Sequence, residues 1–153
     1  MNEDYIADHI SRLNQEGGLF IMRRSDINNL AYQNLVDRKF IGLKSEMEAV
    51  LQRYRASNGN KQVLIDELDL GENYFNRIND EFYIVEVKTN SHFEFDIPNG
   101  NESGAYSDLW VPGGYTKHGT FEVVISNSKN FKHNNDFNTY KSIFGNENVI
   151  PLD

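Results

Sequence analysis

Between residues 98 and 126 the chain gathers most of the residues that could do chemistry. Two carboxylates flank a glycine-rich run: Glu102 near its start and Glu122 just after its end. Gly100 stands just before Glu102, and between the two carboxylates lie Gly104, Gly113, Gly114, Gly119, the single tryptophan Trp110, Tyr115 and His118. Glycines let a backbone turn tightly and approach a ligand closely. A carboxylate can stabilise the positive charge that develops on a sugar as its glycosidic bond breaks. A planar arginine can hold phosphates bidentately, and a flat nicotinamide ring can lie against Trp110 or Tyr115. Together these residues point to a small-molecule cleft and to cleavage of a dinucleotide such as NAD. Taken one at a time they also fit a plain surface loop before an edge strand, with Glu122 facing outward and Trp110 as a core anchor. Residue by residue the plain reading is the stronger, and their concentration in one half of the chain is what raises the joint one beside it.

Other chemistries find less support. His9, His92, His118 and His133 show no zinc-ligand spacing and there are no cysteines, so no metal is expected. Neither a phosphate-binding glycine motif nor a Gly-x-Ser-x-Gly elbow occurs. His118 or His133 as a base would suit a metal-independent ribonuclease. The net charge of −8 argues against that, because nucleic-acid binders present basic surfaces. A third reading is non-enzymatic: an immunity or adaptor module that uses the loop for recognition.

A length of 153 residues suits one domain, 1–153, with a real core. No apolar run approaches the roughly 20 residues of a membrane span. The N-terminus Met-Asn-Glu-Asp-Tyr lacks the apolar segment of a secretory signal, so an exported form would travel as cargo or as part of a larger chain.

The elements that must position these groups follow from periodicity. Ile6, Ile10 and Leu13 predict a helix over residues 3–14, closed by Gly17 and Gly18. Residues 19–22 form a short apolar strand with Arg23 and Arg24 behind it. Ser25 and Asp26 can cap a helix reaching about residue 35. Residues 36–43 suggest a strand or a buried turn. Ser45 with Glu48 fits a capping box, opening a helix to about residue 56 with Met47, Val50, Leu51 and Tyr54 inward. A further helix spans 61–68. Strands are expected at 81–88, 92–97, 121–125 and, as an edge, 149–150, with a short helix after the loop at 127–135. Helices gather in the first half and strands in the second, so the class is α+β: N-terminal helices packed on a small, mostly antiparallel sheet.

Three segments resemble a known family. Asn-Gly-Asn-Glu-Ser-Gly-Ala at 99–105, Leu-Trp-Val-Pro-Gly-Gly-Tyr-Thr at 109–116 and Gly-Thr-Phe-Glu-Val-Val-Ile at 119–125 are similar to the C-terminal toxin domain of bacterial polymorphic toxins of the Rhs and contact-dependent-inhibition types. Upstream, Arg38, Phe40, Ser45, Glu46 and Met47 fit the same pattern. The chain departs from it at Tyr106, where the family has asparagine, and near Arg38, where a glycine is missing. The Pro-Gly-Gly-x-Thr loop before an acidic strand also resembles, more loosely, necrotizing-toxin NAD glycohydrolases and ADP-ribosyltransferases. That resemblance implies an ADP-ribosyltransferase-like fold with NAD as substrate. It implies a late strand carboxylate, Glu122, supported by Glu102. An early arginine, Arg23, Arg24 or Arg38, would hold the dinucleotide beside Trp110, Gly113, Gly114 and Tyr115. It further implies an effector of interbacterial competition, made in the bacterial cytoplasm, delivered through a secretion system and neutralised by a cognate immunity protein. A transferase would also have a macromolecular target of ADP-ribosylation.

Overall fold

The computed structural model describes residues 3–28, 33, 40–68, 70–76, 79–89, 92–96, 110–111, 115–116 and 122–153. Strand β1 (Gly18–Arg23) is apolar on both sides, so it belongs in the middle of a sheet that is covered twice. It pairs antiparallel with β2 (Phe40–Leu43) on one side and β3 (Phe82–Val87) on the other. Strands β4 (Phe95–Asp96), β7 (Glu122–Ile125) and β8 (Val149–Pro151) complete a six-stranded sheet in the order β4-β7-β2-β1-β3-β8. Every pairing in it is antiparallel. Strands β5 (Trp110–Val111) and β6 (Tyr115–Thr116) form a separate two-stranded ribbon.

The alternation of side chains along β1 sorts the core into two halves. Phe20 and Met22 join Ile41, Leu43, Val85, Val87 and Ile125 beneath helices α1 (Glu3–Glu16) and α5 (Phe137–Phe144), which add Leu13, Tyr140 and Phe144. Leu19 and Ile84 lie on the opposite side with Met47, Val50, Leu51 and Tyr54 of α3 (Lys44–Ala56) and Leu64 and Leu68 of α4 (Lys61–Leu68). The α+β class holds. The N-terminal helices pack on the sheet as expected, and α5, the short helix expected after residues 127–135, joins α1 on one face.

Local chemistry differs from expectation at two helix starts. Helix α2 covers only Arg24–Ile27, and its N-cap, Arg23, makes no side-chain capping bond. Ser25 donates instead to Asp80 (2.5 Å), a tertiary partner, and Asp26 accepts from its near neighbour Arg23, so both groups expected to cap are engaged elsewhere. Helix α3 begins at Lys44, with no side-chain cap from Leu43. The Ser45 amide and hydroxyl donate to Glu16 at the end of α1 (2.9 and 2.7 Å), and no bond joins Ser45 to Glu48. A carboxylate from another helix therefore does the work expected of a local capping box. Gly17 has φ +79°, and a Cβ there would meet the Val87 carbonyl oxygen at 2.8 Å, so α1 turns directly into β1 only with glycine.

Candidate functional site

Glu122 opens β7, where it stands opposite Gly42 of β2. Gly42 in turn stands opposite Leu19 of β1, and Leu19 opposite Glu86 of β3. Paired residues of an antiparallel sheet share a face. Glu122 thus takes its register position on the face covered by α3 and α4, in a row where Gly42 contributes no side chain. At the far end of the row, Glu86 accepts from Lys44 (3.0 Å), the first residue of α3, and lies 3.2 Å from Lys88. Burial pushes the Glu86 carboxyl upward, but the two lysines outweigh it and hold it below the usual glutamate range.

Arg23 closes β1 on the same face by alternation, four residues from Leu19. Its guanidinium makes two bonds to Asp26 (3.3 and 3.2 Å) and lies over the Tyr74 ring at 4.4 Å. Burial alone would lower its pKa, but Asp26, Tyr74 and Asp80 reverse that and keep it firmly charged. Arg24 belongs to the other side of the sheet. It bonds Glu81 (3.0 Å) and stacks on Phe137 of α5 at 4.3 Å. Of these two neighbours, Arg23 is the one that shares a face with Glu122. The Arg23–Tyr74 stack has no signature in the sequence, since its partners come from distant segments.

In the ribbon, Trp110 pairs with Thr116 and Val111 with Tyr115, which puts the two aromatic candidates on paired strands. Glu102, Gly113, Gly114, Arg38 and His118 lie outside the described residues. His133 is only 3% exposed. Its Nδ1 accepts from the Asn135 amide (3.0 Å), and its ring meets Tyr140 edge-on. A histidine so enclosed holds the loop before α5 and has little access to a substrate.

Among the described residues, no group of three or more metal-ligating side chains comes together, and no helix is long and apolar enough to cross a membrane. Compared with family models, with curated proteins and with solved structures, the chain matches none.

Proposed function

We propose that this chain is an antibacterial or effector toxin domain of ADP-ribosyltransferase-like design that cleaves NAD, either as an ADP-ribosyltransferase or as an NAD glycohydrolase. The observation that carries the reading is the shared face of Arg23 and Glu122. Four residues along β1 span about 13 Å and two strand spacings about 10 Å, so the two backbone positions stand roughly 16 Å apart by those spacings. One small ring could not reach both, whereas an elongated ligand with phosphates near one end and a glycosidic bond near the other could. In this scheme Arg23 holds the pyrophosphate and Trp110 and Tyr115 wall the nicotinamide. The C–N glycosidic bond breaks with its electron pair leaving on nicotinamide. The Glu122 carboxylate stabilises the oxocarbenium-like ribose until water or a nucleophile of a target molecule adds to it and loses its proton. Glu102 has a supporting role in this scheme, ahead of any part in breaking the bond.

The experiment is to incubate the purified chain with NAD and follow nicotinamide release. Glu122→Gln is expected to keep the parent melting temperature and lose about a hundredfold or more in rate; near-normal turnover would remove Glu122 from the reaction. Glu102→Ala is expected to raise KM before it lowers kcat. A cognate immunity protein is expected to meet the 110–118 loop with basic groups, and competition between that partner and NAD would test occlusion of the site.

A further inference from the structure

A cleft of about 370 Å³ lies between α3 and the β8 edge. Its floor is aliphatic: Leu19, Leu51 and Ile84. One wall is Ile150, which at 48% exposure is the one large apolar side chain left open among the described residues. The polar groups are sorted along its length. Ile84 and Val85 pair with Ile150 and Val149, so continuing the register brings Glu86 opposite Asn148 and beside Glu147. Lys44, at the start of α3, bonds Glu86, which puts Glu48 at the same end. Arg55 lies seven residues further along α3, about 10 Å away at helical rise. Lys44 and Lys88 are already engaged with Glu86, and Lys44 is 3.9 Å from Glu48. Glu48, in the longer and solvent-exposed pair with Lys44, and the exposed Glu147 are thus carboxylates open to solvent next to an apolar floor.

The edge of β8 excludes the commonest way of docking a chain there. Val149 donates its N–H back to Asn146, Leu152 donates to Phe82 across the sheet, and Pro151 has no N–H to give. An added strand would find no row of donors. What remains is recognition by side chains. We propose that this cleft docks a lysine or arginine side chain presented by a partner polypeptide, with its methylene stem on Leu19, Leu51 and Ile150 and its cationic head between Glu48 and Glu147. Long basic side chains are built to lie this way, apolar stem down and charge outward. The chain's net charge of −8 would draw such a partner in. Arg55 at the far end fixes polarity by repelling a second cation there.

The test titrates the ¹⁵N-labelled full chain with the capped peptide acetyl-Leu-Lys-Leu-Lys-amide, and separately with its glutamate counterpart and with n-butylamine. The lysine peptide is expected to shift amides of residues 48–55 and 147–150, and the glutamate peptide to leave them unmoved. The double variant Glu48→Lys/Glu147→Lys is expected to weaken lysine-peptide binding at least about tenfold with the melting temperature unchanged. Ile150→Ser should weaken it less. Shifts scattered over all acidic surfaces, undiminished binding by the double variant, or preference for the glutamate peptide would each overturn the proposal. Butylamine binding as tightly as the peptide would replace polypeptide docking with a free-amine site and overturn it equally.

Discussion

The two faces of the sheet are built to different rules. The face beneath α1 and α5 is aromatic and encloses polar atoms: Ser128, His133 and Tyr140 are all buried there or beside it. Phe20, Phe93, Tyr140 and Phe144 contact one another as rings at centroid distances of 4.6–5.6 Å among their set, which also includes Phe131. The face beneath α3 and α4 is mainly aliphatic, and its charges sit at the margins. Lys44 meets Glu86 at one end, and Lys61, Tyr54 and Asp153 bond one another at the other. The second of these faces carries the register row of Glu122, the Arg23 stack and the cleft at Ile150. The two sides of one layer thus differ in where their polar groups sit: enclosed among rings on one, at the margins on the other.

That difference sets what mutations in the two layers do to stability. The largest effect is expected from Leu64→Ala, which empties a fully buried site in the aliphatic layer. Such truncations cost about 2–5 kcal/mol, measurable as a lower midpoint in denaturant. Gly18→Ala comes next. Its Cβ would overlap Ile41 Cγ2 and lie 2.9 Å from the Gly42 oxygen and 3.1 Å from Leu13 Cδ1, so backbone as well as side chains must move. Overpacking of this kind costs about 1–3 kcal/mol. Tyr140→Phe should act in the opposite direction. The Tyr140 hydroxyl is buried without a hydrogen-bond partner among the described residues, so removing it should leave stability unchanged or raise it by about 1 kcal/mol. A clear loss on Tyr140→Phe would mean that the aromatic face uses its polar atoms, and the contrast between the faces would fail.

Much of this frame was legible in the sequence because it rests on periodicity. The face of α3 marked by Met47, Val50, Leu51 and Tyr54 is the buried one, and the β-branched run at 82–87 is a fully paired strand. Capping was read less well, because Ser45 and Ser25 have ordinary local signatures yet bond to Glu16 and Asp80, partners that only folding supplies. The strand expected over 92–97 is reduced to Phe95–Asp96 in the described chain: the Glu94 amide donates to the Asn127 side chain, outside the ladder. For the candidate site, the sequence could nominate Glu122 and Glu102 with Arg23, Arg24 or Arg38. Only the register of Arg23 and the stack of Arg24 on Phe137 separate these two arginines by face.

The smallest predicted effect concerns pH, and it probes the joint between the two faces. Glu16 ends α1 on one side and receives Ser45 at the start of α3 on the other. Burial raises its pKa, but the Ser45 hydroxyl and amide, with Arg12, more than offset this and hold it below the ordinary glutamate value of about 4.3. A carboxyl whose folded pKa is depressed binds protons more readily when unfolded. Its stabilisation is therefore present above the unfolded value and is lost as pH falls through the folded one. Unfolding free energy should decline as pH drops from about 5 towards 3, and part of that decline should disappear in Glu16→Gln, which keeps an acceptor but cannot titrate. Ser45→Ala should flatten the same part of the profile by removing the hydroxyl that favours the charged form. Glu86, on its lysines, and Asp153, lowered by Lys61 and Tyr54 against the effect of burial, also lose stabilisation in this window. The variants are therefore compared by slope and not by absolute stability. An unchanged slope in Glu16→Gln would mean that the contact between α1 and α3 is held by packing alone.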